Sequence, residues 1–389
     1  MPWKAKNPMD LKLEFITRLN QGESMTELCR EYEIARKTGH KLQARYAASG
    51  AAGLEEQSRA PKHIPHKTTP ELVALIVGEK QKHPTWGPKK LKEVLERKLG
   101  HALPSRNTVG NVLDRAGLVE RRKTRPRYKS TGTTLRPANE PNDVWCIDYK
   151  GQFRLGDRSY CYPLTVTDQH SRYLLGCEGM AAISDEAARE VCAELFQVNG
   201  LPKAIRSDNG APFSSTGLAG LSKLSVYWLR LGIALERIRP GHPEQNGAHE
   251  RMHRTLKRET ARPARHNLLQ QQERFDAFVE EFNCERPHEA IGLRRPAEVY
   301  LPSSRPCPKS LPELTYPAHD DVLEVTPAGM VYVSRRGLVY ISAALSGHQV
   351  GIREEDDGQL LISFLDQHLG HISLGKKFVP LASTPPEAH

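Results

Sequence analysis

Apolar positions along the chain change their period several times, and each change marks a different kind of element. From Met9 to Asn20 they recur at helical spacing through Leu11, Phe15, Ile16 and Leu19. Ser24-Met-Thr-Glu27 has the spacing of a capping box and opens a second helix carrying Leu28 and Tyr32. A turn at Glu33-Ile34 leads into the polar stretch Arg36 to Tyr46, closed by Gly50. Short helix, tight turn and basic helix make a helix-turn-helix pattern, whose second helix enters the DNA major groove. Arg36, Lys37, Thr38, Lys41 and Arg45 are the residues that helix would offer to DNA.

The pattern repeats after a Pro- and Lys-rich linker, Gln57 to Thr69. Thr69-Pro70-Glu71 caps a helix with proline at its first position. Pro88 opens the next, which runs through Leu91, Val94, Leu95 and Leu99 and ends at Gly100. Ser105 starts a third with Val109, Val112 and Leu113, placing Arg106, Asn107 and Thr108 to touch DNA. Glu120 to Asn142 is basic and aperiodic, suited to tracking a phosphate backbone.

Beyond residue 142 the periods shorten. Val144 to Ile147 is an apolar run ending in Asp148. Ser159 to Val166 and Arg172 to Cys177 read as strands joined at Asp168-Gln-His-Ser171. Ser184 to Val198 is an amphipathic helix, Lys203 to Ser207 a strand stopping at Asp208, and Leu218 to Leu231 helical. Ile233, Leu235 and Ile238 suggest one more buried strand, broken at Pro240, Gly241 and Pro243, with a basic helix re-forming after Asn246-Gly247. Strands followed by alternating helix and strand predict a mixed α/β sheet with helices on its faces. After a Pro-rich linker at 301–312, short alternating segments from Val322 to Leu374 suggest a small β-barrel. The fold class expected is multi-domain: two all-α helix-turn-helix domains (1–56 and 69–122), a basic linker (123–142), an α/β core with a mixed sheet (143–300) and a small C-terminal β-barrel (313–380).

Charge agrees with this division. The net +10 of the 389 residues is made of +13 in residues 1–142 and −3 in the remainder, as a DNA-binding arm requires. The seven cysteines form no C-x-x-C pair, which argues against a zinc finger or a disulfide framework. No run approaches the roughly 18 apolar residues of a membrane span, so a reduced, soluble, cytoplasmic protein is expected.

Asp148 and Asp208 end two predicted strands, and Glu250 lies on the basic helix. Carboxylates at strand ends gather in the crevice of an α/β sheet. Three close together repel one another unless divalent cations neutralise them, and oxygen ligands of this kind suit Mg²⁺ or Mn²⁺. Two ions about 4 Å apart can activate a water or 3′-hydroxyl and stabilise the leaving oxygen of an in-line phosphoryl transfer. Arg254, Lys257 and Arg258 share the helical face of Glu250, a carboxylate beside three cations, and Arg251 adjoins them. This combination suits a site that holds metal ions and a phosphate backbone together.

The sequence resembles the DDE transposases of bacterial insertion sequences, whose catalytic core is similar to retroviral integrase. The matching pieces are Trp145-Cys-Ile-Asp148-Tyr149, Ser207-Asp208-Asn209-Gly210-Ala-Pro-Phe213, and His242 to Arg251 running on to Leu256-Lys257. The resemblance implies an RNase H-like core, two Mg²⁺ (or Mn²⁺) ions held by the catalytic Asp148, Asp208 and Glu250, and transfer of an element's 3′ ends into new double-stranded DNA. It also implies a dimer or larger assembly on that DNA. The family is often described by 35 residues between its second Asp and its Glu, a count that Glu244 meets, whereas Glu250 leaves 41. Glu250 is preferred because the family's glutamate follows the Asn/Gln-Gly pair by three residues. The extra six residues would lengthen the Ser214–Ser222 segment.

Asp168 and Arg172 read as structural residues of a strand hairpin, and Trp86 and Trp228 as core. His253 shares a face with Glu250 and is a candidate phosphate contact. Gly370 to Lys376 superficially matches a phosphate loop, but Lys377 stands where Ser/Thr is required. The competing functions are a domesticated DNA-binding repressor without catalysis, a nuclease acting on RNA–DNA hybrids, and a structural or assembly protein, which would not need the acid triad.

Overall fold

Asn7 accepts the Met9 N–H and Ser24 that of Thr26, and these caps start α1 (Pro8–Asn20) and α2 (Met25–Glu31). With α3 (Arg36–Ser49) they enclose Phe15, Ile16, Leu28, Cys29 and Leu54. Gly39 lets α3 cross closely: a Cβ there would lie 2.7 Å from both Cys29 Sγ and Met25 Sδ. The computed structural model describes residues 7–56, 67–119, 135–215, 220–239, 242–316, 320–334, 336–355, 358–365, 367–373 and 378–380. The chain divides into two compact units, Met1–Thr68 and Thr69–His389.

The second unit opens with α4 (Pro70–Lys82), α5 (Pro88–Leu99) and α6 (Arg106–Arg115), capped by Thr69 and Ser105. Gly100 ends α5 in the left-handed conformation, and Trp86, Leu91, Val109 and Leu113 fill the three-helix core. The expected basic linker lies mostly outside the described residues, as do most of the 57–69 linker and the end of the Gly370–Lys376 stretch.

The α/β region carries β1 (Val144–Tyr149), β2 (Phe153–Arg154), β3 (Tyr160–Asp168), β4 (Leu174–Met180), α7 (Asp185–Asn199), β5 (Ala204–Ser207), α8 (Lys223–Arg230), β6 (Ala234–Arg237), α9 (Gly247–Thr260) and α10 (Leu268–Glu280). Across the sheet β4, β3 and β1 are antiparallel neighbours, whereas β1, β5 and β6 run parallel, and β2 pairs with the start of β3. This is the mixed sheet with helices on its faces that the alternating pattern predicts. Trp145, Ile147, Phe196, Ile205 and Trp228 lie in the core beneath α7 and α8, while Met252, Leu256 and Phe275 lie in another packed against β3 and β4. Trp86 and Trp228 are both buried, as the sequence indicates.

The C-terminal region is all β: β7 (Asp321–Glu324), β8 (Met330–Val333), β9 (Gly337–Tyr340), β10 (Gln349–Glu354), β11 (Leu360–Phe364), β12 (Gln367–Ile372) and β13 (Phe378–Pro380). Among the described residues these form an open five-stranded sheet, β13-β12-β11-β10-β7, and a separate β8–β9 hairpin, rather than one closed ladder. Their core also takes Leu221, Val226 and Leu229, so the sheet is seated on α8 and its approach.

Candidate active site

β1 and β5 are adjacent and parallel, with Cys146 level with Arg206. Continued two residues on, that register brings Asp148 level with Asp208, which directly follows β5. Two carboxylates thus meet at the C-terminal ends of neighbouring parallel strands, where α/β sheets open their crevices. Asp208 accepts the Gly210 N–H at 3.1 Å, and Asn209 donates to the Ile238 carbonyl at 2.7 Å. The buried guanidinium of Arg206 donates to Glu236 at 2.8 Å and to the Gln245 carbonyl at 3.3 Å, tying the approach to α9 to the sheet.

Helix α9 supplies the third acid. Asp148, Lys150, Glu250, His253, Arg254 and Lys257 line one cavity of about 540 Å³. Burial, reinforced by the charges of Asp208 and Glu250 and opposed by Lys150, pushes the Asp148 carboxyl up to about 7. Burial is the larger cause and the neighbouring carboxylates the smaller, and a divalent cation beside Asp148 would relieve both. The fit to Mg²⁺ or Mn²⁺ rests on Asp148 and Glu250 in that cavity and on Asp208 at the end of the neighbouring strand.

A buried polar network clamps α9 to β3. Thr165 pairs with Asp148 in the antiparallel register and donates to its carbonyl at 3.1 Å. The same hydroxyl lies 2.8 Å from His249 Nε2 and 2.6 Å from His253 Nε2, and Thr167 Oγ1 lies 2.7 Å from His249 Nδ1. A hydroxyl has one proton to give and two lone pairs. With that proton spent on Asp148, both imidazole Nε2 atoms must be the donors to Thr165, and Thr167 donates to His249 Nδ1. His253 Nδ1 is then left as an acceptor 3.6 Å from Asp148 Oδ2. Both rings are accordingly neutral: burial, with Lys150 adding to it, drives His249 down to about 3, and burial with His249 and Lys150 drives His253 down to about 2.

Asp148, His249 and His253 come within 4.8 Å of one another as possible metal ligands. Both nitrogens of His249 are engaged with threonines, however, so an imidazole-rich site would have to break the clamp. His253, expected as a phosphate contact beside Glu250, is instead buried and turned onto Thr165. Neither threonine was singled out from sequence. The signals were the alternation Thr165-Val166-Thr167 in a strand and two histidines four apart on a helix. Lys150, in the cavity, was missed as well.

The four cations of α9 do not act as one face. Arg254 and Lys257 join Glu250, Arg251 lines a cavity with Arg172, and Arg258 lines a cleft with Arg262 and Arg274. At about 100° per residue, positions 254 and 257 fall within about 40° of Glu250, whereas 251 and 258 lie roughly 80–100° away. On the two helices expected to bind DNA, Arg36, Lys37, Thr38, Lys41, Arg106 and Asn107 are exposed. Arg45 is half-buried and donates to the Glu55 carbonyl at 2.6 Å, and half-buried Thr108 pairs with the Ser105 hydroxyl at 3.1 Å.

Family models described as integrase core domain match residues 138–243 and 231–296, and one described as homeodomain-like matches 38–113. An uncharacterized 31.7 kDa protein of insertion element IS407 from Burkholderia multivorans is 27% identical over 64% of this chain and 88% of its own. An uncharacterized 39.2 kDa protein of insertion element IS476 from Xanthomonas euvesicatoria is 24% identical over 72% and 78%. These matches support an insertion-sequence transposase with an integrase-like core. Among solved structures, the HTLV-2 integrase catalytic core domain in complex with magnesium aligns with 42% of this protein and all of its own chain, at 13% identity and a TM-score of 0.34. No helix among the described residues of the protein is long and apolar enough to cross a membrane.

Proposed function

We propose that the protein cleaves the ends of its mobile element and transfers them to target DNA, using Asp148, Asp208 and Glu250 to hold two divalent ions. One observation carries this reading: Asp148 and Asp208 end adjacent parallel strands, and Glu250, Arg254 and Lys257 share a cavity with Asp148. Two bound Mg²⁺ or Mn²⁺ ions would supply a deprotonated water or 3′-hydroxyl and stabilise the leaving oxygen. The chain's own part is to orient and neutralise. Arg254, Lys257 and Lys150 hold phosphate oxygens beside the acids, and the Thr165–His249–Thr167–His253 clamp fixes the azimuth of α9 so that Glu250 faces Asp148.

Arg36, Lys37, Thr38 and Lys41, with Arg106 and Asn107, are the proposed contacts to terminal repeats, since they are polar and exposed at the starts of their helices. Joining two ends in concert requires a dimer or larger assembly. A repressor would have no use for a crowded acid triad, and a hybrid nuclease little use for two DNA-binding helical units.

The test is Mg²⁺- or Mn²⁺-dependent 3′ nicking and strand transfer on duplex DNA taken from the flanks of the gene. Asp148→Asn and Glu250→Gln should each lower the rate by at least 100-fold, with Glu244→Gln near wild type. Loss in Glu244→Gln with Glu250→Gln active would transfer the role to Glu244. Tight binding by the wild type without any cut would favour the repressor.

A further inference from the structure

On the other side of α9 from Glu250, a cavity of about 460 Å³ opens where α5 meets the core. Four cationic side chains line it, from four parts of the chain: Lys90 of α5, Arg172 of the β3–β4 turn, Arg251 of α9 and Arg286 after α10. His288 lines it too. Two carboxylates belong to the same wall, but neither neutralises the cluster. Asp168 is spent on the Asn142 N–H, the Ser171 N–H and the Ser171 hydroxyl, and Glu289 pairs with Lys89 at 3.1 Å.

The donors there are short of acceptors. Nε and Nη1 of Arg172 and Nε of Arg286 are buried without a hydrogen-bond partner. Arg286 is itself 5% exposed, and its salt-bridge partners Glu259, at 2.5 Å, and Glu281, at 3.7 Å, both meet only the far nitrogen, Nη2. Orphaned buried donors cost about 1–3 kcal/mol each, more when charged. Mutual repulsion points the same way: Arg172 is held below its ordinary value by burial and then by Arg251, and Lys90 is pushed down to about 8 by burial and then by Arg286.

We propose that this cavity binds a phosphate group, presented by the DNA backbone as it passes between the second helical unit and the core. The reading deepens the proposed function, because it gives that DNA a second seat across α9 from the acid triad. A tetrahedral oxyanion offers several acceptor oxygens, which guanidinium forks match better than a carboxylate would. The four cations come from segments as distant in sequence as Lys90 and Arg286, so the seat exists only while the second helical unit is docked. Phosphate binding and docking would therefore stabilise one another.

The test uses the full-length protein and two probes: duplex DNA over a salt series, and inorganic phosphate at constant ionic strength read by thermal melting. Each lost phosphate contact should lower the log–log salt slope by about 0.9. Lys90→Gln/Arg251→Gln should lower it by about 1–2, and Arg251→Lys should leave it unchanged. Inorganic phosphate should raise the wild-type melting temperature and leave the double variant unmoved. An unchanged slope with phosphate protection abolished would assign the cavity to free phosphate rather than DNA. An unchanged slope in the double variant together with no protection of the wild type overturns the site. If the double variant fails to fold, Arg251→Gln alone decides, since its side chain is exposed. Asp148→Asn, which removes the proposed chemistry, should keep full phosphate protection; losing it would mean that the two sites are one and would also overturn the proposal.

Discussion

Thr165 gives its only hydroxyl proton to the backbone carbonyl of Asp148, at 3.1 Å, across a register in which the two residues are paired. That bond fixes which way the rest of the clamp must run, and with it the helix that carries Glu250.

Replacing Thr165 by Val keeps the shape and removes the one oxygen that accepts from both the His249 and His253 Nε2–H groups. Each orphaned donor costs about 1–3 kcal/mol, so the melting temperature should fall by several degrees. Turnover should fall while the DNA dissociation constant stays within about twofold, because no phosphate contact is touched. Equal losses in binding and turnover would mean that Thr165 acts through global stability alone.

Asp148 makes the metal-free protein sensitive to pH. Its folded value, about 7, lies above its ordinary value of 3.8. The folded state therefore holds a proton that the unfolded chain has lost between those limits. Stability should decline as pH rises from about 4 to about 7, by roughly 2–4 kcal/mol for a shift of this size. Asp148→Asn should thus melt higher than wild type at pH 8 in chelator and equally at low pH, with Mn²⁺ closing the gap. Melting curves in chelator that superimpose at pH 8 would refute the crowding.

Glu259 and Glu289 both accept from cations, with opposite consequences. Glu259 meets buried Arg286 and the Thr85 hydroxyl, joining α9 to the second helical unit. Glu259→Ala leaves the buried guanidinium only its longer contact to Glu281, at 3.7 Å, and should cost about 3 kcal/mol. Glu289 pairs with Lys89 where both are exposed, so Glu289→Ala should change stability by less than about 1 kcal/mol. Denaturant unfolding of the two variants distinguishes them directly.

Lys90 should give phosphate binding its own pH limit. It faces Arg286, Glu259 and Glu289, and His288 is held neutral by burial at about 3. Burial and Arg286 bring Lys90 to about 8 from an ordinary 10.5. The unfolded chain then binds the extra proton between these values, so this group's contribution to stability rises with pH across that window. Phosphate protection moves the opposite way, weakening as pH passes about 8, whereas Lys90→Arg should hold it flat. Protection independent of pH in both proteins would exclude Lys90 from the site.

Local signals in the sequence determined a good deal. Ser24, Thr69 and Ser105 cap the helices they announce, Gly100 closes α5, and the short runs ending at Asp148 and Ser207 are strands. Such features depend on residues within a turn or two of one another, so a linear reading reaches them. The alignment of Asp148 with Asp208 was partly legible, because strand-end carboxylates converge whenever the strands are parallel neighbours.

Tertiary packing decided the rest. Only the docking of α9 on β3 turned His253 inward onto Thr165, and only the helix's azimuth separated Arg251 and Arg258 from Arg254 and Lys257. The sheet after residue 320 alternates as a barrel would, yet its described strands form an open ladder seated on α8, since closure depends on strand pairing and not on period. The cavity of Lys90, Arg172, Arg251 and Arg286 has no linear signature at all. Its residues meet through the packing of α5, α9 and the strand turn, and repulsion and hydrogen-bond saturation act between neighbours in space, whatever their distance along the chain.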